Sequence, residues 1–178
     1  LIPDGKNLGI KITYIEQSKP RGLPDAFILG EEFIGKDNVS MILGDNFFYG
    51  QGLSESLKKC VKLKSGAKVF LHKVTNPQLF GVAKVDSKDK ILRIVEKPKR
   101  YISNLAVTGL YFFDNNVVNL TKKLRPSKRG ELEITDLNNM YIKERKLKTV
   151  LLPNDFNWYD FGFLWSLIIS HPRILLAH

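Results

Sequence analysis

Two aspartates stand where a carboxylate could hold a divalent cation. Asp45 lies in the run LGDN (43–46), directly after a short apolar segment, and Asp160 lies in the run WYDFG (158–162). A Mg²⁺ site often uses one or two carboxylates together with the phosphates of a substrate. The pair therefore indicates metal-assisted phosphate chemistry. The alternative is that Asp45 only turns the chain after a strand and that Asp160 only caps a helix.

A second group of charged residues could bind an anionic ligand. Glu96 and Lys97 stand side by side at the end of a predicted strand, just before Pro98. Because neighbours in a strand point to opposite faces, both reach one ligand only if Pro98 twists the strand end. Arg129 precedes a predicted helix and could hold a phosphate. For these residues a surface ion pair or a solvated cap is the alternative.

Strand ends and loops must bring these residues together. Residues 9–16 (GIKITYIE) alternate apolar and polar side chains and predict a strand, Pro24 predicts the first turn of a helix, and residues 39–43 predict a second strand. Residues 81–86 and 90–96 predict a hairpin, and residues 105–113 a long strand. Helices are predicted at 133–144 and 161–170. Asp45 then follows a strand at its carboxyl end, where parallel sheets bind ligands.

The order of these elements predicts the fold class. Strand–helix–strand alternation at the start and a more antiparallel second half predict an α/β fold, with a mixed, mainly parallel central sheet and flanking helices. The chain contains no internal repeat, low-complexity tract or linker. Residues 1–178 are therefore expected to form a single domain.

Composition excludes several classes of protein. The 178 residues are 43% hydrophobic and 26% charged, as in globular proteins, and no apolar run approaches the ~20 residues of a membrane-spanning helix. With no signal-peptide pattern and a single cysteine, Cys60, the sequence predicts a soluble cytoplasmic protein.

The formal charge of +10 attracts phosphates, but the basic residues are scattered. They favour a solvated surface or a field for small phosphates over a nucleic-acid footprint.

Several motifs follow one another in an order that matches a known family. Gln17 is followed by PRGL (20–23), LGDNFFYG (43–50), FGV (80–82), EKP (96–98), AVTGLY (106–111) and RGELEITD (129–136). From residue 1 to about residue 167, the chain resembles the sugar-nucleotide pyrophosphorylases, most closely their glucose-1-phosphate thymidylyltransferase branch. Each motif is weak alone, whereas their common order is highly specific.

The resemblance implies a fold and a reaction. The fold would be the Rossmann-like fold of the nucleotide-diphospho-sugar transferases. The reaction would be the Mg²⁺-dependent transfer of a thymidylyl group from dTTP to α-D-glucose 1-phosphate, which gives dTDP-glucose and pyrophosphate. Such enzymes feed dTDP-rhamnose and related sugars into bacterial polysaccharides. The resemblance also implies a homo-oligomer, a tetramer in this family, with no nucleic-acid or membrane partner.

Carried over motif by motif, the resemblance also implies residue roles. Nucleotide binding would fall to Gln17, Gly22, Leu23 and Asp45. The sugar phosphate would contact Gly81, Glu96, Lys97, Val107 and Arg129. Asp45 and Asp160 would hold Mg²⁺ and, with Lys97, would be the catalytic residues.

The family's first strand and its GGxGTRL phosphate loop have no counterpart in the chain. The resemblance therefore implies an N-terminally incomplete fragment that is inactive alone. Three alternatives stay open: the same scaffold using UTP or CTP, a non-catalytic remnant that binds sugar phosphate or a partner subunit, and a basic nucleic-acid-binding module.

Overall fold

The computed structural model describes residues 4–87 and 90–162, which form the predicted mixed α/β fold. Its helices are α1 (Asp25–Leu29), α2 (Glu31–Ile34), α3 (Leu53–Val61), α4 (Val117–Thr121) and α5 (Ile134–Lys143). Its strands are β1 (Val39–Ile42), β2 (Asn46–Tyr49), β3 (Ala67–Lys73), β4 (Gly81–Val85), β5 (Ile91–Glu96), β6 (Leu105–Phe113), β7 (Leu147–Leu151) and β8 (Asn157–Asp160). Short 3₁₀ turns lie at Lys6–Leu8 and Pro77–Leu79.

Six strands form one sheet, in the order β5-β4-β6-β3-β7 with β1 also paired to β6. Strand β6 is the centre of this sheet. On one side it pairs with β3, and on the other side it pairs with β1 near one end and with β4 near the other. Strands β2 and β8 pair with each other in a separate two-stranded ribbon.

The prediction that the sheet is mainly parallel is wrong. Among the described pairings of this sheet, only that of β3 with β7 is parallel. Strand β6 runs antiparallel to β1, β3 and β4, and β4 runs antiparallel to β5. The alternation of strand and helix does place β1 and β3 in the same direction. Strand β6 lies between them, however, so β1 and β3 each pair antiparallel with β6 and not parallel with each other.

Most of the other predicted elements are confirmed. Strand β6 has the predicted bounds, and the β4–β5 hairpin and helix α5 agree with their predictions within a few residues. Residues 9–16 do not form the predicted strand: they join neither of the two described sheets, and the N–H groups of Ile10 and Ile12 donate to the carbonyls of Gly5 and Asp4. Their apolar side chains Ile10 and Ile15 are exposed. The helix predicted at 161–170 lies almost entirely outside the described residues.

Two apolar cores hold the sheet between helices. Successive residues of β6 alternate between them, as the two-residue period of a strand requires. Tyr111 and Phe113 enter the larger core with side chains of α1, α2, α4 and α5, whereas Leu110 and Phe112 enter the smaller core with α3. The central strand is therefore buried on both faces.

The helices of the described part are short. The longest, α5, has ten residues. A helix that spans a bilayer needs about 20 predominantly apolar residues. Within residues 4–87 and 90–162, no helix has the length and apolarity that a membrane crossing requires.

A partly buried hydrogen bond at the end of β6 gives a first testable expectation. The Tyr141 hydroxyl donates to Asp114 Oδ1 at 2.7 Å, and burial, reinforced by Asp114, raises the pKa of this phenol. Tyr141→Phe removes one partner of the carboxylate, and we expect the free energy of unfolding to fall by about 1–3 kcal/mol in urea denaturation. Tyr101→Phe, at a residue 76% exposed, is the control. Equal losses in both variants would contradict this account.

Candidate active site

Two cavities meet at Leu23, Leu43 and Asp45, which line both of them. The first cavity, of about 990 Å³, lies between the segment that precedes α1, helices α1 and α2, and strand β1. The second cavity, of about 660 Å³, is lined by residues of β4, the end of β5, β6, the start of α5 and the end of β8. A ligand in one cavity can therefore meet a ligand in the other beside Asp45.

The β2–β8 ribbon brings Asp45 and Asp160 together. Asn46 in β2 is the register partner of Asp160 in β8. The backbone N–H of Phe161 also donates to the carbonyl of Asp45 at 2.8 Å. A Cβ atom placed on Gly162 would lie 2.8 Å from Asp45 Oδ2 and 3.1 Å from Asp160 Oδ1. Both carboxylates thus face the same small space beside Gly162.

The electrostatics of this space suit a divalent cation. The pKa of the Asp160 carboxyl is raised, chiefly by burial and further by the charge of Asp45, while the N–H of Gly162 and the charge of Lys97 oppose the shift. A cation between the carboxylates would relieve their repulsion. Within the described ranges, no group of three or more His, Cys, Asp or Glu side chains is placed to hold a metal. The two carboxylates fit Mg²⁺ if substrate phosphates or water supply its other ligands.

Glu96 and Lys97 both line the second cavity. The Thr135 hydroxyl donates to Glu96 Oε2 at 2.7 Å and so fixes this carboxylate. Lys97 has a φ of +40° and donates its N–H to the carbonyl of Phe80 at 3.0 Å. Such a conformation costs a non-glycine residue on the order of 1–3 kcal/mol, which is typical of functional sites. Glu96 and Lys97 thus reach the same cavity because the backbone turns at Lys97 itself, and not at Pro98 as the sequence had indicated.

The other residues of the second cavity lie on β4, β6 and α5. Gly81 and Val107, which the motifs had singled out, line it. Sequence reasoning missed Tyr111, Thr135 and Asn138, although Thr135 and Asn138 are three residues apart on one face of α5. Burial, with the charges of Glu96 and Asp160, raises the pKa of the Tyr111 phenol. The Asn138 amide is buried and has no hydrogen-bond partner within the described structure.

The first cavity is lined by the residues expected at the nucleotide. Gln17, Gly22 and Leu23 all contribute to its surface. Gln17 Nε2 donates to the Gly22 carbonyl at 3.2 Å and to Asp25 Oδ2 at 2.9 Å. Gly22 has a φ of +95°, and a Cβ atom there would collide with the carbonyl oxygen of Leu132. Only glycine fits this close backbone approach.

Arg129 is placed differently from the other predicted residues, because it lines neither cavity. Its guanidinium donates to both carboxylate oxygens of Glu133, at 2.9 and 3.0 Å. Arg129 Nη2 also lies 3.9 Å from Glu131 Oε2. The hydrogen bond to Glu133 is the main cause of the raised pKa of Arg129. A contact between Arg129 and a sugar phosphate therefore stays a prediction, and it would require this ion pair to open.

A mixed sheet with two cavities meeting at paired carboxylates fits a protein that transfers nucleotidyl groups. The chain belongs to the nucleotidyl transferase family, whose model matches residues 1–175. The resemblance inferred from the motifs is thereby confirmed.

Among the similar proteins are glucose-1-phosphate thymidylyltransferases. The one from Neisseria meningitidis serogroup A is 49% identical over 162 residues, which are 91% of this chain and 56% of that protein. The one from Mycolicibacterium smegmatis is 40% identical over 168 residues, which are 94% of this chain and 58% of that protein. The chain thus spans little more than half the length of these relatives.

Solved structures give a matching result. The crystal structure of a Bacillus anthracis protein named as a glucose-1-phosphate thymidylyltransferase, in complex with sucrose, has a TM-score of 0.81 and 38% identity. The match covers 99% of this chain and 71% of that one. A UDP-glucose pyrophosphorylase in complex with UDP-glucose has a TM-score of 0.77 at 24% identity, over 93% of this chain and 67% of that one. This second likeness concerns the fold alone.

Proposed function

We propose that the protein containing this chain transfers a thymidylyl group from dTTP to α-D-glucose 1-phosphate, giving dTDP-glucose and pyrophosphate. The observation that carries this proposal is the meeting of two cavities at Asp45, with Asp160 facing the same space. A nucleotide in the first cavity and a sugar phosphate in the second would bring their phosphates together there. The choice of dTTP and glucose rests on the similarity to the thymidylyltransferases, because cavity shape alone does not define the base.

The described residues can be given roles in this reaction. An oxygen of the sugar phosphate attacks the α-phosphorus of the nucleotide, and the bond to the leaving pyrophosphate breaks. Such a transfer needs alignment and charge neutralisation more than a strong base. Lys97 would hold the sugar phosphate, while Glu96, fixed by Thr135, would accept hydrogen bonds from sugar hydroxyls. Gln17 would recognise the thymine from the first cavity.

Asp45 and Asp160 would hold Mg²⁺. When bound, the ion would neutralise charge on the phosphates. The convergence of two carboxylates beside Gly162 and the raised pKa of Asp160 support this assignment.

We extend the proposal to the organisation of the protein. Residues 1–178 would be part of one nucleotidyltransferase domain, in line with a family match that runs over residues 1–175. The protein would form a homotetramer in the cytoplasm, without nucleic-acid or membrane partners. These points rest on the family resemblance, and the single cysteine, which is buried and free, favours a reducing compartment.

The test is an assay of pyrophosphate release by the full-length protein with Mg²⁺, glucose 1-phosphate and, in turn, dTTP, UTP and CTP. We expect dTTP to give the largest kcat/KM. A preference for UTP or CTP would keep the reaction class but overturn the choice of nucleotide. No release with any of the three, together with calorimetric binding of glucose 1-phosphate, would instead indicate a non-catalytic protein that binds sugar phosphate.

A further inference from the structure

The Asn46 side chain connects Asp45 to the body of the fold. Its Nδ2 donates to Asp45 Oδ1 at 2.9 Å. Its Oδ1 accepts two hydrogen bonds, from the backbone N–H of Gly109 at 2.9 Å and from Trp158 Nε1 at 2.7 Å. Because two donors point at the same atom, that atom must be the amide oxygen. The amide nitrogen is therefore left to face Asp45.

Packing keeps the amide in this orientation. A Cβ atom on Gly109 would lie 2.6 Å from Asn46 Cγ and Oδ1, so β6 approaches the amide directly. Trp158 is only 8% exposed, and its ring packs against Phe80 with centroids 5.1 Å apart. Asn46 is not among the residues that line either cavity. An effect of Asn46 on a ligand in these cavities would therefore act through the bonded neighbours that line them, Asp45 and Gly109, and of these only Asp45 carries a charge.

We propose that Asn46 is a positioning residue that orients the Asp45 carboxylate for the divalent cation, and that Trp158 holds Asn46 in place. This inference rests on the proposed function, because it requires a metal between Asp45 and Asp160. Asn46 is also the register partner of Asp160, so a displaced amide would change the relation between the two carboxylates. Residues behind metal ligands commonly set metal affinity in this way.

Mn²⁺ binding to the full-length protein tests the proposal without turnover, since the electron paramagnetic resonance signal of free Mn²⁺ reports the bound fraction. We expect Asn46→Ala to weaken Mn²⁺ affinity about 10- to 100-fold. Trp158→Phe keeps the packing but loses the donor, so a smaller loss is expected. The double variant should bind no more weakly than Asn46→Ala alone, because Trp158 acts through Asn46. Asn115→Ala is the matched control, since this amide donates to the carbonyls of Gly35 and Asp37 outside both cavities.

Each outcome decides a different claim. Wild-type Mn²⁺ affinity in folded Asn46→Ala, or additive losses in the double variant, would overturn the positioning role. If Asp45→Asn loses Mn²⁺ while Asn46→Ala does not, the proposed function stands and only this role fails. Absence of Mn²⁺ binding by the wild-type protein would overturn this role together with the assignment of Asp45 and Asp160 as metal ligands, whereas the transfer reaction itself is decided by the assay of pyrophosphate release. If Asn46→Ala does not fold, Trp158→Phe decides alone, and wild-type affinity in that variant would overturn the role.

Discussion

Asp45→Asn is expected to lower the turnover of the full-length protein by about two to three orders of magnitude. The amide has nearly the shape of the carboxylate but lacks its charge, so the phosphates would react beside a weakly held cation. The fold should persist, because an amide oxygen at residue 45 can still accept the hydrogen bond from Asn46 Nδ2. The measurement is pyrophosphate release at saturating substrates, with near-ultraviolet circular dichroism as the check on folding.

Asp37→Asn provides the matched control, because Asp37 is an exposed aspartate that lines neither cavity. Its turnover should equal that of the wild-type protein. Raising the Mg²⁺ concentration should restore part of the turnover of Asp45→Asn, because a more weakly held cation is recovered by mass action. Near-normal turnover by folded Asp45→Asn would end the assignment of Asp45 as a metal ligand.

The carboxylate pair could be predicted from the sequence, but the means of bringing it together could not. Asp45 and Asp160 stand out through their glycine and aromatic neighbours. The ribbon that joins them consists of two strands of only four residues each, β2 and β8. Such lengths are the lower limit at which an alternating pattern can be recognised. The hydrogen bonds of the Asn46 amide depend on that pairing, so they could not be predicted for the same reason.

Local sequence patterns predicted the bounds of individual strands better than they predicted which strands pair with each other. Strand β6 is a long β-branched and aromatic run, and its bounds could be predicted because burial on both faces requires such a composition. Residues 9–16 have the period of a strand as well, yet they join neither of the two described sheets. Periodicity reports which face of a segment is apolar, whereas pairing depends on which other segment lies alongside.

Lys97 and Arg129 show a different limit of prediction from the sequence. The left-handed backbone of Lys97 could not be predicted, because a lysine before a proline has no intrinsic preference for positive φ. The ion pair of Arg129 was visible in principle, since the run RGELE places Glu131 and Glu133 within its reach. A motif indicates which ligand a residue binds in relatives, but it does not show which internal partner competes for that residue.

Lys97→Ala is expected to weaken glucose 1-phosphate binding about 10- to 100-fold, the loss of one charge-assisted contact. Binding of dTTP should change little, because Lys97 lines the second cavity and not the first. The substitution adds no backbone strain, since alanine and lysine are equally disfavoured at a φ of +40°, and the N–H bond to Phe80 is retained. Calorimetric titration of each substrate into the full-length protein measures the two affinities separately.

Lys99→Ala is the control for the Lys97 prediction, because Lys99 is an exposed lysine two residues away that lines neither cavity. It should leave both affinities unchanged, which separates a specific contact from the general field of a chain with a formal charge of +10. The wild-type affinity for glucose 1-phosphate should fall with rising salt, and Lys97→Ala should show a shallower dependence. Equal weakening of dTTP and glucose 1-phosphate binding by Lys97→Ala would contradict the placement of the sugar phosphate in the second cavity.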